Sequence, residues 1–363
     1  MKIALLKYLD QLIGRPLAGL LPPPAKKEVF KPQSILFIRP GGIGDAVLLI
    51  PAVMCLKNRY PKADISVLAE KRNVQIFSLC SAVDHIYCYD RIADFYLVAK
   101  KHYDVVIDTE QWHRLSAIVA RLLRSQMRIG YATNARKKLF THVVEYSQEA
   151  HEVDSFFDLL RPLDLKPIAP VLFPFLKIPQ HSQDDAYNFL GTIGKQQFVV
   201  LFPGASIVER RWGAERFTGL ADRLRLSDRS LVIVGGHEDV AAGDEIALRV
   251  PGVINLAGKT SLLQTAAILK SAALLVSGDS GILHIAVGLD IPTVSLFGPG
   301  IASKWAPRGK KHVVINHQLP CSPCTKFGTT PPCPIKAKCI TDISVDEVFI
   351  AVQFLLSKDQ QKY

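Results

Sequence analysis

The sequence predicts an α/β protein of two lobes, each built on a doubly wound parallel sheet. Three observations predict it. Short apolar runs alternate with helix-length segments, the signature of repeated strand–helix units on a parallel sheet. The alternation loosens once, across Pro167, Pro170, Pro174 and Pro179, and then restarts, as at a linker between domains. The 363 residues, 48% hydrophobic with both charge signs mixed, are long for one core and globular in composition.

Residues 1–33 stand apart. Leu5, Leu9, Leu12, Ile13, Leu17 and Leu20 recur at roughly helical spacing among Lys2, Lys7 and Arg15, and Pro22-Pro23-Pro24 ends any helix. Two readings stand: a basic amphipathic helix on an anionic membrane surface, or a terminal helix packed on the body. The first lobe is expected over residues 34–178. Its strands are Ile35–Ile38, Ile65–Leu68, His85–Cys88 and Asp104–Ile107, with a helix from Ala46 to Asn58. The second is expected over residues 179–341. Phe198–Phe202, Leu231–Val234, Ala272–Val276 and Pro292–Phe297 are its strands, and Ala214–Leu226 and Ser261–Lys270 its helices. Residues 342–363 form a closing helix. Two such Rossmann-like lobes facing a cleft are one natural arrangement.

The net charge of +11 favours an anionic partner. No block of five or six consecutive basic residues and no nucleic-acid motif is present, so nucleic acid is not expected. Neither a cleavable signal peptide nor an apolar stretch of ~20 residues is evident, and a cytoplasmic location is expected. Of seven cysteines, Cys321, Cys324, Cys333 and Cys339 cluster in a Pro-rich segment. Their irregular spacing suits reduced thiols or disulfides, with a structural zinc site as the less favoured reading.

Four strand ends carry chemistry. Arg39-Pro40-Gly41-Gly42-Ile43-Gly44-Asp45 is a glycine turn opening a helix. It fails the dinucleotide spacing at Val47 and lacks the Gly-Lys-Ser/Thr of a phosphate loop. What it presents is a carboxylate, either a helix cap or a general base. Pro203-Gly204-Ala205-Ser206 leads to Glu209-Arg210-Arg211-Trp212. These arginines suit a diphosphate or stand as a solvated surface pair. Gly235-Gly236-His237-Glu238-Asp239 offers acids for ribose hydroxyls or for a helix first turn. Gly278-Asp279-Ser280-Gly281-Ile282-Leu283-His284 places a carboxylate at a strand tip and a hydroxyl at a helix N-cap. Such a terminus suits a phosphate, and a cap alone is the plainer reading.

Taken in order, Arg39-x4-Gly44-Asp45, Pro203-Gly204 with Arg210-x-Trp212, Gly235-Gly236, Asp279-Ser280-Gly281-x2-His284 and Leu296-Phe297-Gly298-Pro299 resemble glycosyltransferase family 9, the ADP-heptose:lipopolysaccharide heptosyltransferases and their relatives. The resemblance runs from about Ser34 to Val348. It implies a GT-B arrangement with acceptor on the first lobe and nucleotide sugar on the second, inversion at the anomeric carbon, and no metal or other cofactor for transfer. It implies Asp45 as catalytic base and Arg39, Gly42 and Gly44 on the acceptor side. Ser206, Arg210, Glu238, Asp279, Ser280, Gly281 and His284 would hold the donor, ADP-heptose. Arg210 stands where the family often has Lys. Ala205 lacks the hydroxyl that can hold phosphate oxygens at its position. The closing helix would return to the first lobe. The expected partners are a nucleotide sugar, a lipopolysaccharide-core glycolipid and an anionic membrane at the cytoplasmic face. Another nucleotide sugar, or a non-catalytic nucleotide-sugar-binding relative, are the alternatives.

Overall fold

The computed structural model describes residues 10–26, 31–165, 171–195, 197–227, 229–326 and 328–360. Among them, twelve strands form two six-stranded sheets, one in each of two compact units, Met1–Leu172 and Phe173–Tyr363. Leu5 and Leu9 of the N-terminal stripe, Lys2 and Lys7, and Pro167 and Pro170 of the expected linker lie outside the described residues.

In the first unit the strands are β1 (Ser34–Arg39), β2 (Asp64–Ala69), β3 (His85–Cys88), β4 (His102–Asp108), β5 (Arg124–Tyr131) and β6 (His142–Val144), in the order β3-β2-β1-β4-β5-β6. In the second they are β7 (Phe198–Phe202), β8 (Ser230–Ile233), β9 (Ile254–Asn255), β10 (Leu274–Gly278), β11 (Thr293–Phe297) and β12 (His312–Asn316), in the order β12-β11-β10-β7-β8-β9. Every pairing is parallel. Both sheets therefore have the same strand sequence, with the order reversing between β1 and β4 and again between β7 and β10. Such a reversal opens a crevice beyond the carboxyl ends of the two strands, where ligands of open α/β sheets bind.

The central strands are buried on both faces, which is why they read as unbroken apolar runs. β5 does not read that way, and sequence reasoning passed over it. Arg128 lies buried inside it because its guanidinium donates to three carbonyls between the end of the preceding helix and the start of β5, Ala120 (3.0 Å), Leu123 (2.7 Å) and Ser125 (3.0 Å). The strand can then carry a cation at a core position. The glycine-opened helix, Ile43–Arg59, buries Ala46 to Val53 without interruption. On the opposite sheet face Leu36, Ile38, Leu68 and Val106 pack with Val98, Ala117 and Ala120.

The N-terminal segment, Asp10–Gly14 and Arg15–Leu20, packs on this face through Asp10, Gly14 and Ala18. The stripe it buries is not the leucine stripe. Asp10 Oδ1 accepts from the backbone N–H groups of Arg114 and Leu115 (2.9 Å), supplying the cap that the helix Leu115–Leu122 lacks locally. Burial raises the Asp10 carboxyl, but His113 and these backbone bonds outweigh it and hold it below the ordinary value. Leu12, Ile13, Leu17 and Leu20 are left 58%, 43%, 38% and 79% exposed.

In the second unit Val199, Leu201, Leu274, Val276, Val294 and Leu296 face Phe217, Leu220 and Leu224 of the helix Ala214–Leu226. The closing helix Val345–Gln360 completes the same core with Val348, Val352, Leu355 and Leu356, one face at helical spacing. A capping box fixes its start: Ser344 N–H donates to Glu347 Oε2 (2.8 Å) and Glu347 N–H to Ser344 Oγ (3.2 Å). This face of the helix belongs to the core of the second unit. No helix among the described residues is long and apolar enough to cross a membrane.

Candidate functional site

Each order reversal is flanked by the polar turns singled out from the sequence. In the first unit β1 ends at Arg39, and Gly41 turns the chain with φ +107°. A Cβ on Gly41 would lie 2.8 Å from Arg39 Nη2, so both conformation and space call for glycine. Gly42 is the N-cap of the following helix, Gly44 lies in its first turn, and so does Asp45.

Arg39 is almost completely buried. Its Nη1 donates to Thr109 O (2.8 Å). Its Nη2 lies 3.4 Å from Asp45 Oδ2 and 3.8 Å from Glu110 Oε2, and the guanidinium lies 5.6 Å from the centre of the Phe156 ring. Burial opposes its charge, but Asp45, Glu110 and Glu152 outweigh burial and raise its proton affinity. At the end of β4, Asp108 pairs with Arg136, and both side chains are fully buried. Burial pushes the Asp108 carboxyl up against the pull of Arg136. Burial pushes Glu110 the same way, but Arg39, His113 and Arg136 prevail and hold it down. The sequence reading named Arg39 and Asp45 but missed Asp108, Glu110, Arg136 and Glu152. The available signal was Asp108-Thr109-Glu110 closing a strand, β4, that flanks the reversal.

In the second unit the turn after β7 meets the turn after β10. Arg210 Nη1 lies 2.7 Å from Asp279 Oδ2. Asp279 is buried, which raises its carboxyl above the ordinary value while Arg210 opposes the rise. Arg211 turns the other way and clamps Ala205 O with Nε (3.0 Å) and Nη2 (2.9 Å). Adjacent arginines of like appearance thus divide into one aimed at the strand tip and one closing its own turn. Trp212 anchors the segment, its indole N–H donating to Ile343 O (2.8 Å) and its ring packed edge-on against Phe217 at 5.1 Å. Close approach here depends on glycine: a Cβ on Gly300 would lie 2.3 Å from Asp279 Oδ2, and one on Gly204 2.2 Å from Asp239 Oδ1.

Ser280 is the N-cap of the helix Gly281–Gly288. Its Oγ accepts from Leu283 N–H (3.2 Å) and lies 2.8 Å from Ser277 Oγ. Ser280 thus caps this helix with its side chain. Gly281 opens the helix, and His284 is buried within it. Ser206 is exposed after β7, and Glu238 is exposed after β8. The buried acid of that turn is its neighbour Asp239, whose Oδ2 accepts from Gly236 N–H (2.9 Å). All these residues lie beyond the carboxyl ends of the second sheet, with Arg210, Asp279 and Ser280 at its order reversal.

The four clustered cysteines are free thiols gathered near the turn after β11. Cys324 N–H donates to Pro299 O (3.1 Å), and Ala337 N–H donates to Cys333 Sγ (3.2 Å). Burial and the neighbouring cysteines push the Cys324 and Cys339 thiols up. Among the described residues, no three His, Cys, Asp or Glu side chains converge in metal-ligating geometry.

Comparison with known proteins gives the arrangement a family. The family signature described as "Glycosyltransferase family 9 (heptosyltransferase)" matches residues 97–333. The chain is similar to lipopolysaccharide heptosyltransferase 3 of Escherichia coli, 29% identical over 287 residues that cover 73% of this chain and 83% of the relative. Its fold is similar to that of the E. coli ADP-heptose lps heptosyltransferase II (TM-score 0.74, 24% identity, 90% of this chain and 99% of the other). It is similar too to a glycosyl transferase family 9 structure from Veillonella parvula (TM-score 0.77, 20% identity, 92% and 100% covered). With two parallel six-stranded sheets and a signature match over most of its length, the chain belongs to glycosyltransferase family 9 and is a glycosyltransferase of GT-B fold.

Proposed function

We propose that this enzyme moves a heptose from ADP-heptose to a lipopolysaccharide-core acceptor, with inversion and without a metal in the transfer step. The observation that carries the reading is the Arg210–Asp279 pair at the second sheet's order reversal, beside the Ser280-capped helix N-terminus. A guanidinium and free N–H groups at that position suit a nucleoside diphosphate. The heptosyltransferase relatives supply the sugar class and acceptor class.

In this reading Asp45 takes the proton of an acceptor hydroxyl. The oxygen bonds to the anomeric carbon from the face opposite the diphosphate. The bond from that carbon to the phosphate oxygen breaks, and ADP leaves with its electron pair. Arg210 and the Ser280 helix N-terminus stabilise the charge that develops on ADP, and preorganised donors of this kind are worth about 3–4 kcal/mol each. Ser206, Glu238, Gly281 and His284 complete the donor side, and Arg39, Gly42 and Gly44 shape the acceptor side. A thermal-shift series with ADP, UDP, GDP, CMP and NAD tests the donor. At ~100 times its dissociation constant ADP is expected to stabilise the protein by about 2.7 kcal/mol, and the others less. A larger response to UDP or GDP would replace the donor but keep the transferase. No response to any of them would overturn the donor site.

We also infer that the enzyme works against the anionic cytoplasmic face of the membrane through residues 10–20. Asp10, Gly14 and Ala18 fix the segment to the lobe and leave the leucines outward. Exposed Arg15, Lys137 and Lys138 lie on this segment and on the adjacent turn Ala135–Leu139, a combination that suits insertion among anionic headgroups. Replacing Leu12 and Leu20 with Glu is expected to reduce co-sedimentation with phosphatidylglycerol-containing vesicles by more than about tenfold, since each leucine contributes about 1.5–3 kcal/mol on full burial. Turnover of a water-soluble acceptor fragment should stay unchanged. Equal sedimentation of variant and native protein would sink this inference.

A further inference from the structure

The carboxylate of Glu110 has no part in the reaction described above, yet it is buried beside the proposed base. It follows β4 by two residues and is 6% exposed. Its Oε1 accepts from the backbone N–H groups of Trp112 (3.0 Å) and His113 (3.2 Å), which fixes the carboxylate in place. Its Oε2 lies 3.8 Å from Arg39 Nη2, the same nitrogen that lies 3.4 Å from Asp45 Oδ2. One corner of one guanidinium therefore meets two carboxylates. Glu110 is sealed in the lobe, while the Asp45 side chain is 28% exposed. Arg39 is held by Thr109 O and the Phe156 ring, so it cannot swing towards one acid and away from the other.

We propose that Glu110 is a positioning residue for the transfer: it offsets the charge of Arg39 and holds the guanidinium nitrogen they share, so that Arg39 aims Asp45 at the acceptor hydroxyl. The proposal rests on the reading of Asp45 as general base. An arginine close to a carboxylate favours the ionised form and weakens it as a base. Without the Glu110 carboxylate, the Arg39 charge would act on Asp45 with less to offset it. Glu152 also acts on the charge of Arg39, and His113 and Arg136 on that of Glu110, but each has a partner of its own, His113 lying 3.7 Å from Asp10 Oδ2. Arg136 pairs with Asp108, Glu152 accepts from Tyr146 Oη (2.9 Å) and from Gln111, and Tyr131 Oη donates to Ser155 O (2.7 Å). Glu110 is thus the counter-charge that shares the Arg39 nitrogen with Asp45.

The test is the pH dependence of kcat in Glu110→Gln, which keeps the shape and removes the charge. Its acid limb is expected to move to lower pH by about one unit, and its plateau kcat to fall about tenfold. KM for ADP-heptose and stabilisation by ADP should be unchanged. Glu110→Asp, which restores the charge at a longer reach, should move the limb in the same direction by less, and it serves as the readout if the glutamine variant does not fold. A merely structural role predicts a lower melting temperature and lower kcat with a superposable pH profile, and that result would overturn the proposal. Asp45→Asn assayed in parallel separates the two ideas. Retained turnover there removes the general base, whatever Glu110→Gln does. Lost turnover there with an unmoved profile in Glu110→Gln and Glu110→Asp removes only the role of Glu110.

Discussion

Asp45→Asn is expected to transfer sugar about 10²–10⁴-fold more slowly than the native enzyme, the usual contribution of a positioned general base, while its stabilisation by ADP is unchanged. The substitution is nearly isosteric. The amide oxygen can still accept from Arg39 Nη2, as Asp45 Oδ2 does at 3.4 Å. Arg39 keeps Glu110 as a counter-charge, so the buried cation is not abandoned. What the asparagine cannot do is take a proton from an attacking hydroxyl. The cost to stability should be small, about 0.3–1 kcal/mol for one carboxylate lost from the first turn of a helix. A discontinuous assay for ADP release, with melting curves at several ADP concentrations, separates the two quantities. Turnover within a few fold of the native rate would remove Asp45 as the base. A native chain with no turnover on any sugar nucleotide would leave a binding protein.

The parts of this enzyme legible in its sequence are those whose physics is local. Ile35–Ile38 and Phe198–Phe202 are recognisable as strands because they are buried on both faces and carry no polar group to disguise them. The turns after them are recognisable because glycine is required where Gly41 adopts positive φ. The parts that escaped depend on partners far along the chain. β5 was missed because Arg128 is satisfied by carbonyls, and a strand pattern does not show where a guanidinium finds its acceptors. The N-terminal stripe was read from its leucines, yet Asp10 decides which face is buried, because it caps a helix 104 residues away. The same limit applies to Arg210 and Arg211. Their neighbours in sequence are shared, and only the fold gives one a carboxylate and the other a carbonyl. Glu110 sits in a segment that reads as an ordinary loop, because a buried ion pair looks the same in sequence as a solvated one.

Arg210→Ala is expected to lower kcat about 10²–10³-fold, the usual effect of removing one preorganised donor to a developing anion, and to diminish stabilisation by ADP. The variant has a second consequence that must be separated from the first. Asp279 is 6% exposed and loses the guanidinium 2.7 Å away, and breaking a buried pair from one side costs about 3–5 kcal/mol. A loss of turnover could then reflect a distorted turn rather than a missing diphosphate contact. A double-mutant cycle with Asp279→Asn resolves this, because the asparagine carries no charge to strand. If Arg210 contacts the diphosphate, Arg210→Ala/Asp279→Asn recovers the melting temperature but not the turnover, and falls well below Asp279→Asn alone. If Arg210 only neutralises Asp279, the double variant matches Asp279→Asn in both stability and rate. Arg210→Lys adds a graded point: it keeps the charge but not the planar fork, so it should restore the melting temperature more fully than the rate. Full recovery of rate in either background would show that the pair is structural and that the diphosphate is held by the Ser280 helix N-terminus without it.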